Sequence, residues 1–146
     1  MDIKLKKKIW FDFLILMFQK EVADRIISDF NTKSYGRLTI LANWRLDIKK
    51  ICDINPSSFQ PKPKIDSTVL FFKPKKEFFS FKDSKNLEKI TRIFFMHRRK
   101  MIKKPYYQLF NGNISIASKI GIDLKLRPQN LNLETYFKLT REYENL

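Results

Sequence analysis

Two kinds of apolar spacing divide the chain. In its first half the apolar residues come in short runs: residues 13–18 read FLILMF and residues 68–72 read TVLFF. Runs without polar interruption fit strands buried on both faces of a sheet. Between them, Val22, Ile26 and Phe30 recur at helical spacing, so a helix is expected over residues 21–30. A second helix is expected from Tyr35 to about Trp44, with Ser34 as its N-cap and Tyr35, Leu38 and Ala42 along one face. Residues 46–54 then alternate, with Leu46, Ile48, Cys52 and Ile54 on one face and Asp47, Lys49 and Asp53 on the other, as in a half-exposed strand.

From Asp83 onward the spacing is helical throughout. Asp83 or Ser84 can cap a helix in which Leu87, Ile90, Phe94 and Met101 share one side, while Lys89, Arg92, Arg99 and Lys103 occupy the other. Pro105 is expected to break that helix. Residues 114–120 read as a short helix ended by Gly121, and a final helix takes Asn132 as cap, with Leu133, Tyr136 and Phe137 inward. Pro74, Lys75, Lys76 and Glu77 look like a linker, which places a boundary over residues 74–81 between an α/β part, residues 1–76, and an all-helical part, residues 77–146.

A strand apolar on both faces belongs in the middle of a mostly parallel sheet. Only a short lead with Lys4, Lys6, Lys7 and Lys8 precedes residues 13–18, so the neighbouring strands are expected to lie outside this sequence. The lead superficially resembles a secretory signal, but Asp12 interrupts the apolar run and Gln19, Lys20 and Glu21 stand where small cleavage-site residues would be needed. It is also too short to span a bilayer, which takes about 20 apolar residues.

Residues 55–73, NPSSFQPKPKIDSTVLFFK, form the most distinctive stretch. Pro56, Pro61 and Pro63 each remove a backbone donor and fix φ, so the segment runs as a stiffened loop into the second apolar run. The loop is expected to expose one aromatic, Phe59. Either Phe59 folds back to cap the core, or it serves as a rigid stacking platform for a planar ligand or base, rigidity lowering the ordering cost of binding.

Composition adds a partner class. The 146 residues are 43% hydrophobic and 14% aromatic, enough for a packed globule, and 30 Lys plus Arg against 15 Asp plus Glu leave a net charge of +15. Such an imbalance favours polyanions, nucleic acid before acidic membrane. Membrane-surface binding ranks lower because no sustained amphipathic helix follows the lysine-rich lead. Arg98, Arg99, Lys100, Lys103 and Lys104 form the densest basic run, followed by Tyr106 and Tyr107, and read as a phosphate-tracking surface against a solvated face as the alternative. Cys52 can form no internal disulfide, which suggests a reducing, cytoplasmic setting. His97 is the one histidine, so no zinc site is expected, and a monomer is. Lys64 and Asp66 are candidates for a structural ion pair shaping the Phe59 loop.

The ordered set Pro56, Ser57, Phe59, Pro61, Pro63, Lys64, Ile65, Asp66, Ser67 resembles the Pro-Ser-x-Phe-x-Pro-x-Pro-Lys-Val-Asp-Ser signature of the ribosomal RNA adenine dimethyltransferases, the kasugamycin-resistance family of the small subunit. Residues 16–26 resemble that family's LMFQKEVADRI segment, Thr32 to Leu38 its Ser-Lys-x-Tyr-Gly-Arg-Leu segment, residues 95–109 its Phe-x-x-Arg-Arg-Lys segment, and residues 121–128 its Gly-Ile-Asp-x-x-x-Arg-Pro turn. Lys103, Lys104 and Pro105 depart from the family, which has an asparagine-containing helix there.

The resemblance covers nearly the whole chain from Trp10. It implies the C-terminal part of a Rossmann-like class I methyltransferase domain followed by a small helical domain, from an S-adenosylmethionine-dependent enzyme that dimethylates adjacent adenines near the 3′ end of small-subunit ribosomal RNA. It further implies that Phe59 stacks on the target adenine, and that Arg37, Arg98, Arg99, Lys100, Lys103 and Lys104 contact RNA. For Arg37 a solvated place on a capped surface helix is the alternative.

Gly36, Gly112 and Gly121 lie in no strand-to-helix glycine loop of the kind that cradles a nucleotide-like cofactor, and the family's Asn-x-Pro-aromatic loop has no counterpart. The chain is therefore expected to be a C-terminal fragment or a truncated product, inactive alone and without cofactor-binding residues. The competing expectation is a non-catalytic RNA-binding or ribosome-assembly module.

Overall fold

A computed structural model describes residues 10–146; the lysine-rich lead, with Lys4, Lys6, Lys7 and Lys8, lies outside the described residues. Three strands, β1 (Leu14–Gln19), β2 (Leu46–Ile54) and β3 (Ser67–Pro74), form one sheet in the order β1-β3-β2. β3 is the central strand. It is antiparallel to both neighbours, so β1 and β2 run in the same direction on either side of it.

Helices α1 (Lys20–Ile26) and α2 (Arg37–Arg45) cover one face. Ala23 and Ile26 pack there with Leu70 and Phe72 of β3, joined at the margin by Ala42 of α2 and Ile48 of β2. The opposite face is more open, and Val69 and Phe71 are half-buried. Burial on both faces, expected for β1 and β3, is thus not observed. β1 departs furthest, with Ile15, Leu16 and Met17 exposed at 54%, 42% and 52%. The reason is position: among the described strands β1 pairs on one side alone, and an edge strand with one covered face cannot bury alternate residues twice.

The alternation expected for β2 is interrupted by a bulge. Lys50 faces Leu70 and Cys52 faces Val69, so Ile51 is an extra residue in the ladder. From there the faces swap. Cys52 turns outward to solvent, while Asp53 comes opposite Thr68 on the helix-covered side.

α1 ends at Ile26, short of the expected Phe30, which is exposed. Asp29, Phe30, Asn31 and Thr32 turn the chain instead; Asn31 adopts φ 69°, a left-handed conformation that asparagine tolerates, and its N–H donates to Gln129 O at 2.8 Å. α2 begins at Arg37, not Tyr35, and Gly36 replaces Ser34 at its cap position. The Thr39 hydroxyl accepts from Gly36 N at 3.1 Å. Thr39 and Ile40 are buried on α2, while of the three residues expected inward Tyr35 and Ala42 pack in the hydrophobic clusters and Leu38 is exposed.

The C-terminal helices are α3 (Ser84–Phe95), α4 (Lys103–Phe110), α5 (Ile114–Ile120) and α6 (Leu133–Tyr143). Their capping chemistry matches the sequence. Asp83 accepts from Lys85 N at 2.9 Å, Asn132 accepts from Thr135 N at 2.9 Å, and Gly121, at φ 79°, closes α5. Leu87, Ile90, Phe94, Tyr106, Tyr136 and Leu139 form the centre of their shared core, which Tyr35 and Ile40 also enter. α2 therefore faces both hydrophobic clusters, and through Trp44 it holds the connecting segment, the indole N–H donating to Phe79 O at 2.7 Å.

α3 ends at Phe95, and a turn over residues 96–101 separates it from α4. Met101 is consequently exposed, and Ile102 takes the core position. Pro105 breaks nothing; it sits in the first turn of α4, where a missing N–H costs no helical hydrogen bond.

Candidate nucleic-acid interface

β1 ends at Gln19, β2 ends at Ile54 and β3 begins at Ser67, and both Gln19 and Ile54 pair with Ser67. Residues 55–66 therefore lie at the carboxyl ends of β1 and β2, the edge at which open α/β sheets bind ligands. The loop is tied at several points. Asn55 Oδ1 accepts from Ser57 N at 2.9 Å, Phe59 N donates to Pro56 O at 3.2 Å, and Lys20 N donates to Asp66 O at 3.0 Å. The Gln60–Pro61 bond is cis.

Phe59 is half-buried, not exposed as expected. Among the described residues it joins neither hydrophobic cluster and stacks on no other ring, so the packed core does not account for it. A groove of about 510 Å³ beside the loop is lined by Lys20, Glu21, Asp24, Ile65 and Asp66.

The ion pair expected between Lys64 and Asp66 does not form among the described residues, and both side chains face solvent. Asp53 secures the base of the loop instead. Its carboxylate accepts from Lys50 Nζ and from Thr68 Oγ1, each at 2.6 Å, with Lys20 Nζ at 3.6 Å. These donors, Lys50 first, hold its pKa down at about 2. Sequence reasoning missed Asp53 because strict alternation put it on the outer face.

The basic run divides by role. Arg99, Lys100, Lys103 and Lys104 are exposed, in the turn after α3 and the first turn of α4, and none forms an ion pair among the described residues. Lys103 Nζ lies 5.6 Å from the Tyr107 ring centre. Arg98 is half-buried and turned inward: Nε donates to Gln129 Oε1 at 3.2 Å and Nη2 to Thr32 O at 3.2 Å, with Lys33 O as a further acceptor. It clamps the turn before α2 onto the end of α3. His97 is exposed in the turn after α3. Arg37 is exposed at the start of α2, where it lines a groove with residues of α3.

Gly36 starts a helix but follows a turn, and Gly112 and Gly121 follow helices, so no strand opens into a helix through glycine. Among the described residues no cluster of His, Cys, Asp and Glu could hold a metal ion, and no helix is long and apolar enough to cross a membrane.

Residues 5–145 match the sequence profile of the ribosomal RNA adenine dimethylase family. The chain belongs to this family. Among curated dimethylase relatives, the ribosomal RNA small subunit methyltransferase A of Pelagibacter ubique is 62% identical over 144 residues, covering 99% of this chain and 55% of the relative, in its C-terminal portion. The Nitrobacter winogradskyi protein of the same name is 35% identical over 137 residues, covering 94% and 47%. This dimethylase chain thus spans about half the length of the curated relatives it matches.

Its fold is similar to a dimethyladenosine transferase from Plasmodium falciparum, with TM-score 0.75 and 25% identity over 92% of this chain and 58% of that one. It is also similar in fold to the 23S rRNA methyltransferase ErmE, at TM-score 0.61 and 16% identity, covering 92% and 55%. The α/β class read from the sequence, a part of a Rossmann-like methyltransferase domain followed by helices, is the fold observed.

Proposed function

We propose that this chain supplies the target-adenine loop and the RNA-docking surface of an S-adenosylmethionine-dependent ribosomal RNA adenine N6,N6-dimethyltransferase. It does so as the C-terminal part of a longer enzyme that modifies adjacent adenines near the 3′ end of small-subunit ribosomal RNA. The observation that carries this reading is the position of Phe59: a ring outside both cores, on a proline-stiffened loop, at the carboxyl edge of the sheet. An adenine amine is a weak nucleophile, so the base must be flipped out, held by stacking and oriented toward the methyl donor. Phe59 does the stacking. Arg99, Lys100, Lys103 and Lys104 neutralise backbone phosphates, Arg37 adds a further contact, and Arg98 positions the surface from within.

The methyl donor and the groups orienting the amine belong to the remainder of the enzyme, so the chain alone is inactive. The exposed apolar residues of β1 support this division, because an edge strand with apolar side chains on both faces is what an adjoining strand and its helices would cover. The chain works as a monomer in the cytoplasm, with the small ribosomal subunit as partner during ribosome biogenesis.

The test is binding of the purified 146-residue chain to a small-subunit 3′-terminal hairpin across a salt series, and separately to S-adenosylmethionine. Hairpin binding that weakens steeply with salt, without cofactor binding, is expected. Salt-insensitive binding would remove the docking surface, and saturable cofactor binding would overturn the division of labour. Methyl transfer restored by co-expression with the N-terminal portion of the Pelagibacter ubique relative is the expected sign of a catalytic part; its failure, with RNA binding intact, would favour a non-catalytic ribosome-assembly module.

A further inference from the structure

A second cluster of cations lies along α3, ahead of the basic run. Arg37 of α2 and Lys85, Lys89 and Arg92 of α3 line a groove of about 510 Å³, together with Ser84, Asn86 and Glu88. Lys85, Lys89 and Arg92 stand at i, i+4 and i+7, which puts them on one face of the helix. The opposite face, with Leu87, Ile90 and Phe94 fully buried, fixes the helix so that this face cannot rotate away. Lys89 is further held by Tyr143, whose hydroxyl accepts from its ammonium and whose ring centre lies 4.8 Å away.

A minority of the described cations are paired with a carboxylate: Lys20, Arg25, Lys50, Lys119 and Lys138. None of the four groove cations forms an ion pair among the described residues, although Glu88 lies in the same groove. Four like charges facing one carboxylate repel one another, and a bound polyanion would relieve that repulsion.

We infer that this groove is a second docking site for the sugar-phosphate backbone of double-stranded RNA, separate from the surface at residues 99–104. The inference rests on the RNA-binding reading above. No aromatic side chain lines the groove, so it offers no platform on which single-stranded bases could stack. It suits the regular backbone of a duplex instead. The rise from Lys85 to Arg92 is about 10 Å, enough to follow a few consecutive phosphates of one strand. The groove follows α3 from Lys85 to Arg92, whereas the cations at residues 99–104 lie beyond its C-terminal end.

The test uses the full chain, a short RNA duplex, a single strand of the same composition and free inorganic phosphate. Replacing Lys85→Gln, Lys89→Gln and Arg92→Gln together should flatten the log–log salt dependence of duplex binding by about 2.7, at ~0.9 per phosphate contact, and should affect the single strand less. Glu88→Gln, which removes the opposing charge from an exposed position, should tighten duplex binding; this variant also keeps the inference testable if the triple variant fails to fold. Substituting residues 99, 100, 103 and 104 should flatten the slope independently.

A triple variant with the parent's affinity and slope, alongside a weakened 99–104 variant, would overturn the second site and leave the RNA reading standing. A parent chain that binds no duplex would overturn both. Saturable binding of free phosphate, lost in the triple variant without change in duplex binding, would reassign the groove to small anions.

Discussion

Removing the Phe59 ring separates its two possible roles, because stacking and core capping predict opposite patterns. A fully buried phenylalanine costs about 3–5 kcal/mol when cut to alanine. Phe59 is half-buried and outside both clusters, so Phe59→Ala should cost about 1 kcal/mol of stability, roughly half the transfer free energy of the side chain. The ring's contribution to a flipped base is larger, about 1–3 kcal/mol, equivalent to about 5- to 140-fold in affinity. The assay pairs thermal unfolding with binding of a hairpin that carries 2-aminopurine at the target adenine, whose fluorescence is quenched on stacking. Phe59→Trp should keep both affinity and quenching, whereas Phe59→Leu should keep stability and lose the quenching. If Phe59→Ala and Phe59→Leu both bind and quench like the parent while Phe59→Ala loses 3 kcal/mol or more, Phe59 is a core cap and the reasoning fails.

Three further outcomes follow from particular contacts. The Tyr35 hydroxyl is buried without a hydrogen-bond partner among the described residues, and burial pushes its ionisation far up. Tyr35→Phe should therefore raise stability by about 1 kcal/mol in denaturant unfolding, and a loss of that size would show that the hydroxyl is satisfied. Asp53, held at about 2 by Lys50 and Thr68, contributes stability above the ordinary aspartate pKa of about 3.9 and loses it as pH falls toward 2. Asp53→Asn should accordingly be less stable than the parent near neutral pH, with the difference shrinking over that acid range; a constant difference would mean the carboxylate's charge is irrelevant. Arg98→Ala should cost about 1–2 kcal/mol by releasing the turn at Thr32 and Lys33, while Arg99→Ala should stay within about 0.5 kcal/mol, and equal effects would contradict the inward placement of Arg98.

How much could be read in advance depended on whether the cause was local. The β-branched and aromatic run of β3, the caps Asp83 and Asn132 and the helix stop at Gly121 were all legible, because each is set by a residue's own conformational preference or by a hydrogen bond two or three residues away. The ordered prolines around Phe59 were legible for the same reason, and they carried the family resemblance.

What the sequence alone determined, then, is the kinds of element, their order, the cationic character of the chain and the loop that marks its chemistry. The tertiary structure decided which faces are covered and which charges are left over. The bulge at Ile51 brought Asp53 opposite Thr68, an outcome set by register with β3 and invisible to a period of two. β1 reads as a buried strand but sits at an edge, since burial depends on what lies beside a strand and not on its own residues. Arg98 and Arg99 are neighbours of one residue type, yet one clamps a turn from 65 positions away and the other faces solvent. Lys85, Lys89, Arg92 and Arg37 meet in one groove because α2 packs across α3. These outcomes arise from contacts between distant segments, whose geometry no local preference encodes.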